Sequence, residues 1–522
     1  MYDYNLGLRF QSVAQQHSSR TAIWLDFDNS FNYGDLDKLS NRIARFLTTK
    51  AVNAGDVVGL SGEKSLITFA SMLACLKIGA PYCVIDPHSP AERLRRMLSS
   101  CRPVLVLADQ EAADRLGPVV ADLKIEVVQN DSEELTAAIS IHNHSPLDQT
   151  RRITGSNPAY IMFTSGSTGF PKGAVITHAG VLNLIEWSRS TFQITPDDVL
   201  TNVNALFFDN SVFDFYCSLF TGASLTPFTA AEVRDPKRLV DKVDAARCTL
   251  WFSVPSLLIF LQTMRATNGR NLKSIRRFVF GGEGYPKSRL KSLWETYSGS
   301  AEFFNVYGPT ECTCICSCYH ITTGDFAETR GLPSLGRISD NFLQLILDEE
   351  GNAVAPGEVG ELCLIGPNVG LGYYNDPDQT AASFVQNPYN HQFREIMYRT
   401  GDLVRVEPTD GKLYIQGRKD NQIKHLGYRI ELEEIESALQ HLDYVSEAAA
   451  LHTSFNGLSR IIAVVASEQE LADEQIRRDL QRSIPSYMIP SVFHFQAMLP
   501  RNANGKIDRR RLSEEYLPSQ EG

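Results

Sequence analysis

The sequence contains no long apolar run. No window in its 522 residues reaches the roughly 18 consecutive apolar residues that a membrane-spanning helix requires. The first residues, MYDYNLGLRF, also lack the positive segment and apolar stretch of a secretory signal. We therefore expect a cytoplasmic protein with no membrane partner.

Excess positive charge is also lacking. Lysine and arginine total 50 against 61 aspartate and glutamate residues, which gives a formal net charge of -11. A protein that binds nucleic acid through bulk electrostatics needs a basic face to neutralise phosphates. Nucleic acid is therefore not an expected partner.

Cysteine is not abundant enough to predict a disulfide framework. Ten cysteines in so long a chain, without a secretory signal, are typical of reduced thiols. The alternating run Cys312, Cys314, Cys316 and Cys318 is the exception to consider. On a strand these side chains would share one face, about 6.6 Å apart per step, which suits one tetrahedral zinc poorly. We expect buried small side chains there, with a metal site as the alternative.

Composition and length indicate a folded protein with at least two domains. Hydrophobic residues make up 43% and charged residues 21% of the chain, as in ordinary globular proteins. A chain of 522 residues exceeds what one hydrophobic core usually serves. No internal repeat is present, and the polar stretch from Ser140 to Asn157 is interpreted as a surface linker.

Hydrophobic patterning predicts an α/β fold. Short apolar runs (VVGLSG, PYCVID, PVLVLAD, CTLWFSV, RRFVFGGE) alternate with helical stretches such as Gly34 to Leu47. This alternation favours mixed, largely parallel sheets flanked by helices. The glycine-dense segment GELCLIGPNVGLGYYND has no helical period and predicts a small β-barrel-like subdomain.

The character of the sequence changes again near Gly417. A charged cluster is followed by a helix (IELEEIESALQHL), a strand (RIIAVVAS), a second helix and a basic tail. We predict an N-terminal ATP- and substrate-binding domain over 1–418 and a mobile C-terminal α+β domain over 419–522.

The loop TSGSTGFPKG, from Thr164 to Gly173, is the first motif that carries chemistry. It combines three glycines with four hydroxyl residues and follows the apolar strand Tyr160 to Phe163. Glycines let backbone N–H groups approach phosphate oxygens, hydroxyls add donors, and Lys172 adds a positive charge. A P-loop is excluded, because Lys172 follows proline and precedes glycine. The alternative is a flexible Ser/Gly linker.

This loop and the other motifs of the chain resemble those of the adenylate-forming enzymes, which include acyl-CoA synthetases, luciferases and amino-acid adenylation domains. The sequence is most similar to the stand-alone adenylation domains of nonribosomal peptide synthesis and to D-alanine–carrier-protein ligases. Eight ordered matches carry the resemblance: the phosphate loop, LKIGAPYCVIDP, FFDNSVFD, NVYGPTE, GELCLIGPNVGLGYY, YRTGDL, GRKDNQIKHLGYRIELEEIE and NANGKIDRRRL. Any one alone would be weak, but together they span nearly the whole chain.

The resemblance implies a set of ATP-binding and catalytic residues. Lys506 would be the catalytic lysine, Glu311 and Thr168 would approach Mg²⁺, and Asp420 would be the hinge between two domain arrangements. Taken alone, each of these residues could equally be a solvated charge, a cap or a turn. ATP would be bound by Thr164, Ser165, Gly166, Ser167, Thr168, Gly169, Lys172, Gly282, Glu283, Asn305, Tyr307, Gly308, Thr310, Asp402, Arg418 and Lys506.

Asp209 provides the clue to the acid that is activated. It lies in an aromatic-rich stretch, where a carboxylate without a partner is costly, so it is expected to face a cation. The resemblance implies that it binds the amino group of an amino acid; the alternative is a helix N-cap. The implied pocket comprises Asp209, Asn210, Phe213, Phe252, Val279, Gly281, Val306, Cys314 and Ile315. It suits a small to medium, mainly apolar amino acid, and the polar Asn210 leaves aminobenzoate-type and β-amino acids open.

Three functions compete at this stage. The first is an adenylating enzyme that loads an amino acid onto the phosphopantetheine of a separate acyl or peptidyl carrier protein. The sequence shows no Asp/Gly-Gly-x-Ser attachment site after Lys506, so the carrier is expected to be another chain. The second is a CoA ligase for an amino-aryl or other carboxylic acid. The third is a non-catalytic nucleotide-binding protein, which intact Lys506, Glu311 and Asp402 argue against.

Overall fold

The computed structural model describes residues 3–166, 170–455, 458–467, 469, 471–501 and 507–517. Within these ranges no helix is both long and apolar enough to cross a membrane. Sheets flanked by helices come first, an antiparallel β unit follows, and a small α+β unit lies beyond Arg418. The predicted α/β fold class is therefore confirmed.

The first sheet carries the phosphate loop at its edge. Its strands are parallel except for the last pair, in which Thr164 lies opposite Lys172 across a hairpin. The predicted strands VVGLSG, PYCVID and PVLVLAD all lie in it. In spatial order the strands are Glu126–Gln129, Leu105–Ala108, Val58–Ser61, Tyr82–Ile85, Pro158–Thr164 and Lys172–Thr177.

The second sheet supplies the walls of a cleft. Its parallel part runs from Glu302–Tyr307 to Thr21–Trp24, with antiparallel strands at both edges. Because carboxyl ends of parallel strands meet at one edge, the residues that follow them converge there. The spatial order is Arg337–Ile338, Ser317–His320, Glu302–Tyr307, Arg277–Gly281, Leu250–Ser253, Val199–Asn202, Ser224–Pro227, Thr21–Trp24 and Ser30–Asn32.

Helices cover both sheets. The predicted helix at 34–47 is confirmed as Tyr33–Thr49, which begins where the side chain of Asn32 accepts a hydrogen bond from the Asp35 amide. The others in this part are Leu6–Gln16, Leu66–Ile78, Ala91–Cys101, Gln110–Leu123, Glu133–Ser140, His178–Thr191, Asn210–Leu219, Ala230–Arg234, Pro236–Ala245, Pro255–Thr263 and Lys287–Tyr297.

The prediction of a surface linker from Ser140 to Asn157 is wrong for its second half. Thr150 and Ile153 are buried. Their carbonyls both accept hydrogen bonds from the side-chain amide of Asn5, at 2.9 Å each. The segment therefore packs against the N-terminal helix, which polar composition alone does not reveal.

The antiparallel β unit is built around one long strand, Ile396–Val406. This strand pairs with Val359–Ile365 on one side. On the other side its first part pairs with Phe384–Gln386 and its last part with Leu413–Arg418. Leu343–Leu347 completes the sheet, and the helix Pro377–Ser383 packs beside it.

The C-terminal unit begins with a hairpin, Gln422–His425 and Tyr428–Glu431, which we call the 422–431 hairpin. The predicted helix and strand follow as Leu432–Gln440 and Leu458–Ala466. The remaining elements are the strands Glu447–Phe455 and Val492–Gln496 and the helices Asp473–Leu480 and Arg509–Tyr516. Apolar side chains of these helices and strands form a core of their own. The division at 418/419 stays a prediction.

Candidate active site

The phosphate loop joins the two strands of the edge hairpin. At Gly166 a Cβ would lie 2.0 Å from the Phe170 carbonyl oxygen, so the chain can turn back here only with glycine. Thr164 and Ser165 are buried, and the Thr164 hydroxyl has no hydrogen-bond partner among the described residues. Three further residues of the predicted phosphate site, Ser167, Thr168 and Gly169, lie outside the described residues.

Lys172 is the cation of this loop. Burial lowers its pKa, opposed by the charges of Glu431 and Glu311. Its Nζ lies 5.4 Å from the centre of the Tyr373 ring. A desolvated ammonium group that forms no ion pair with any described residue is suited to bind an incoming anion.

Glu311 is completely buried, and each of its carboxylate oxygens accepts a hydrogen bond. Oε1 accepts a hydrogen bond from the Tyr373 hydroxyl at 2.8 Å, and Oε2 accepts one from Arg429 Nη1 at 2.7 Å. Burial opposes ionisation, but Arg429 and Tyr373 outweigh it and lower the pKa of Glu311. Glu311 is therefore an ionised carboxylate with no solvent exposure.

Asp402 and Arg418 form a chain of charges that ends at Asp420. Asp402 accepts hydrogen bonds from the Tyr307 hydroxyl and, at 2.6 Å, from Arg418 Nη1. The same guanidinium donates to both carboxylate oxygens of Asp420, at 2.6 and 2.8 Å. Asp402 of the implied ATP site and Asp420, the implied hinge, therefore share one arginine.

Asn305 and Glu283, two residues of the implied ATP site, lie on or just beyond neighbouring strands of the second sheet. Asn305 is buried and donates to the Ser334 carbonyl at 2.8 Å. The Glu283 carboxylate accepts hydrogen bonds from the amides of Ser256, at 2.6 Å, and Gly427, at 2.8 Å. Glu283 thus connects the second sheet to the 422–431 hairpin. A cleft of about 1390 Å³, including its solvent-open mouth, is lined by Glu283, Asn305, Tyr307, Asp402 and Arg418 among others.

Asp209 occupies the N-cap position of the helix Asn210–Leu219, but its side chain makes no capping hydrogen bond. Instead Oδ2 accepts a hydrogen bond from the Thr310 hydroxyl at 2.6 Å. Burial raises the pKa of Asp209, partly offset by Thr310. The carboxylate faces a cleft of about 640 Å³, mouth included.

That cleft gathers most of the residues predicted for the acid pocket. Asp209, Asn210, Phe252, Val306, Cys314 and Ile315 line it. Phe213 and Val279 are fully buried instead, and Phe213 packs against Phe252 with ring centres 4.9 Å apart. Gly281 precedes the lining residue Gly282, and a Cβ on Gly281 would lie 2.4 Å from the Val306 carbonyl oxygen. Phe213, Val279 and Gly281 therefore lie behind the residues that line the cleft.

The cysteine run does not form one strand face, but the expectation of buried side chains is confirmed for Cys312, Cys314 and Cys316, and Cys318 is half-buried. Cys312 ends a short 3-10 turn, and Thr313 and Cys314 have φ values of 60° and 72°. The strand begins only at Ser317. At this turn the chain folds back so closely that a Cβ on Gly308 would lie 2.2 Å from the Cys314 carbonyl oxygen, so position 308 requires glycine. Among the residues that the structure describes, no three His, Cys, Asp or Glu side chains are grouped to hold a metal ion.

Two cations of the 422–431 hairpin reach the cleft without having been assigned from the sequence. Arg429 pairs with Glu311, and Lys424 Nζ lies 5.4 Å from the centre of the Tyr307 ring. Burial lowers the pKa of Lys424, opposed by Asp402. Both residues lie inside the quoted motif GRKDNQIKHLGYRIELEEIE, so the motif was the available signal.

The predicted catalytic lysine, Lys506, lies outside the described residues. The residues on either side of the segment 502–506, Arg501 and Ile507, form an antiparallel bridge. Leu499 and Leu512 are buried against the sheet of the C-terminal unit.

The chain is similar to proteins of known family over nearly its whole length. The model for "AMP-binding enzyme" matches residues 10–374, and that for "AMP-binding enzyme C-terminal domain" matches residues 434–506. A dimodular nonribosomal peptide synthase of Bacillus subtilis is 33% identical over 96% of this chain, and gramicidin S synthase 1 of Brevibacillus brevis is 30% identical over 97%. The chain spans only 20% and 44% of the lengths of these relatives.

Solved structures give the same result. A nonribosomal peptide synthetase protein with adenylation and PCP domains is 25% identical, with a TM-score of 0.82 over 98% of this chain and 84% of that one. An amide bond synthetase from Marinactinospora thermotolerans shares the fold, with 21% identity and a TM-score of 0.85 over 97% and 99% of the two chains. The chain belongs to the AMP-binding enzyme family, and so to the ATP-dependent, AMP-forming ligases.

Proposed function

We propose that the chain activates an amino acid with ATP to give an aminoacyl-adenylate and pyrophosphate. The observation that carries this proposal is the Asp209 carboxylate. It faces the acid cleft, makes no cap, and accepts a hydrogen bond from one hydroxyl in the part of the chain that the structure describes, so a protonated amine is the group that would complete its hydrogen bonding. A plain carboxylic acid would bring no cation to this carboxylate, whose burial the charges of Arg429 and Lys424 offset only in part.

The walls of the cleft favour a small to medium, mainly apolar side chain. Phe252, Val306, Cys314 and Ile315 present apolar or weakly polar surface, whereas Asn210 offers an amide. A polar group on the substrate, as in an aminobenzoate-type or β-amino acid, would have Asn210 as its partner.

ATP would be held by groups from both sheets. The phosphate loop, including Lys172, would take the triphosphate, and Asp402 would accept hydrogen bonds from the ribose hydroxyls. Glu311 fits a Mg²⁺ ion by its donor chemistry, because it is a buried carboxylate that stays ionised. Thr168 would be its partner, and the ion would neutralise negative charge on the phosphates.

In the first half-reaction the substrate carboxylate attacks the α-phosphorus of ATP. A bond from carboxylate oxygen to phosphorus forms, the bond from α-phosphorus to the bridging oxygen breaks, and pyrophosphate leaves. Lys506 would place its positive charge near the nucleophile and the pentavalent phosphorus. The buried Asp209 carboxylate would hold the amino group of the substrate while pyrophosphate is displaced.

The second half-reaction would transfer the aminoacyl group to the phosphopantetheine thiol of a separate carrier protein. A sulfur–carbon bond forms, the carbon–oxygen bond to AMP breaks so that AMP leaves, and the thiol proton passes to water. The PCP domain named with one solved relative supports this acceptor. Free CoA is the alternative, and thioester formation with CoA and with a pantetheinylated carrier, compared side by side, separates the two.

The experiment that tests the proposal is a pyrophosphate-exchange screen over proteinogenic, D-, β- and aminobenzoic acids. We expect exchange with at least one amine-bearing acid and none with its des-amino counterpart. Exchange supported equally by acids without an amine would favour the CoA ligase of a plain acid. No acid-dependent exchange at all would favour a nucleotide-binding protein without catalysis.

A further inference from the structure

A group of hydrogen-bonded polar side chains lies behind the walls of the acid cleft. Asp214 has no solvent exposure and belongs to the helix Asn210–Leu219, which Asp209 precedes. Its Oδ2 accepts hydrogen bonds from the side-chain amides of Asn202 and Asn204, both at 3.0 Å. These three described residues are not among those that line the acid cleft. They therefore belong to the support of the cleft and not to its surface.

The side-chain amide of Asn204 connects the two walls of that cleft. An amide nitrogen carries two hydrogens and can donate to two acceptors. Asn204 Nδ2 donates to Asp214 on the helix at 3.0 Å and to the carbonyl of Phe252, on the facing strand, at 3.1 Å. Phe252 lines the cleft, and its ring packs against Phe213 of the same helix. One amide therefore holds the helix and the strand at a fixed separation.

The hydrogen bonds to Asp214 also fix the rotation of the helix about its axis. Asp214 follows Asp209 by five positions in the chain. At 3.6 residues per turn the two side chains therefore point about 140° apart around the helix axis. A helix that is held at Asp214 from one side presents Asp209 to the other side. The amides that bind Asp214 thus set the direction in which Asp209 faces the cleft.

Lys64 connects this network to the first sheet. It lies in the loop that follows the strand Val58–Ser61, and its Nζ donates to the Asn202 carbonyl at 2.6 Å. Burial lowers the pKa of Lys64 and raises the pKa of Asp214, and the charge of each residue opposes the shift of the other. Lys64 is therefore the cation that offsets the buried charge of Asp214.

We propose that Asn204, Asp214 and Lys64 are positioning residues that set the width of the acid cleft and thereby select the size of the acid. They act through the direction of Asp209 and the position of Phe252, and not by contact with the substrate. This inference rests on the proposed function, because it takes the cleft at Asp209 to be the site of the acid.

A second network of the same kind offers a matched control. The side-chain amide of Asn41 donates to Asp37 at 3.2 Å and to the His144 carbonyl at 2.9 Å, and the buried Lys77 pairs with Asp37 at 2.6 Å. These four residues are not among those that line either cleft. Asn41→Ala therefore removes amide hydrogen bonds to a carboxylate and to a carbonyl, as Asn204→Ala does, but leaves the walls of the acid cleft in place.

The experiment measures pyrophosphate exchange by the full chain with two sets of acids. The first set contains the straight-chain 2-amino acids from alanine to norleucine, 3-aminobutyric acid and 2-aminobenzoic acid, and the second contains their des-amino counterparts. We expect Asn204→Ala to lower the ratio of kcat/KM between the best and the next-best acid about tenfold, because a difference of one methylene is read by the fit of the walls. The change should lie in the KM for the acid, and the KM for ATP should stay the same.

The control separates positioning from stability. Asn41→Ala and Asn204→Ala should both lower the midpoint of chemical unfolding, but only Asn204→Ala should change the ratio between acids. Asn204→Ser keeps one donor and should change the ratio in the same direction by less, and it takes the place of Asn204→Ala if that protein does not fold. Lys64→Arg should keep the ratio of the unsubstituted chain, whereas Lys64→Met should lower it.

Two results would overturn the positioning role. One is an unchanged ratio in a folded variant of Asn204, and the other is an equal change of the ratio in Asn41→Ala. Exchange with the des-amino acids alone would overturn the proposed amino-acid substrate, yet the ratio among those acids would still test the width of the cleft. No exchange with any acid of either set would overturn both proposals.

Discussion

Asp209→Ala is the substitution that tests the acid pocket most directly. Because the carboxylate would pair with the substrate amine, the effect of removing the carboxylate should depend on whether the substrate carries an amine. We expect Asp209→Ala to lower kcat/KM for the preferred amino acid strongly, chiefly through KM, with little change for the des-amino acid. The KM for ATP should be unaffected, because Asp209 lines the acid cleft and not the larger nucleotide cleft.

The size of the effect follows from the surroundings of Asp209. A hydrogen bond between charged groups contributes about 1.5–3 kcal/mol, and the value lies at the upper end where water is scarce. We therefore expect a loss of about 3 kcal/mol, or roughly 150-fold in kcat/KM. Thr310→Val removes only the hydroxyl that orients the carboxylate and should cost about 1 kcal/mol.

The assay is pyrophosphate exchange with both substrates and both proteins, arranged as a double-mutant cycle. A coupling below about 0.5 kcal/mol between the amine and Asp209 would refute the pocket assignment. The pH dependence gives an independent check. Because burial raises the pKa of Asp209, the preference for the amine-bearing acid should weaken as pH falls through that raised value. Asp209→Asn should show no such dependence.

Three further outcomes are expected. Lys506→Ala should abolish adenylation yet leave thioester transfer from preformed aminoacyl-adenylate largely intact, and equal loss of both steps would contradict the two-arrangement account. Arg93→Met should lower the unfolding midpoint, because the buried Glu434 loses its partner at a cost of about 3–5 kcal/mol of stability. The double variant Arg93→Met/Glu434→Leu should recover most of that stability. A double variant as unstable as Arg93→Met would argue against the ion pair as the cause. Burial lowers the pKa of His178 from 6.5 to about 3, so its neutral form stabilises the fold above pH 6.5 and this stabilisation is lost as pH falls. Chemical denaturation should show about 1.4 kcal/mol less stability per pH unit below that point than His178→Gln shows, and parallel curves would exclude the effect.

The sequence was informative where a pattern is local. Apolar runs of four to six residues predicted strands, and the spacing of Leu36, Leu39 and Ile43 predicted a helix, because the buried face of each element repeats with its own period. Burial of the segment near Thr150 was missed, since its carbonyls are satisfied by Asn5, which lies far away in the chain.

The candidate site shows the same division. Motifs identified the groups, but not which of them touch in the folded chain. The Glu311–Arg429 pair joins residues 118 positions apart, and it depends on how the 422–431 hairpin meets the cleft. The alternating cysteines predicted that Cys314 lies on a strand, because the sequence pattern does not show how closely the chain approaches itself at Gly308.

The turn at Thr313 and Cys314 limits how this pocket can be redesigned. Left-handed backbone costs roughly 1–2 kcal/mol for most residues, and β-branched side chains tolerate it least. At position 314, where φ is 72°, we expect asparagine, aspartate or glycine to be accepted and valine or isoleucine to be rejected. Libraries that aim to change the preferred acid would therefore gain more from varying Phe252 and Ile315 than from enlarging residue 314.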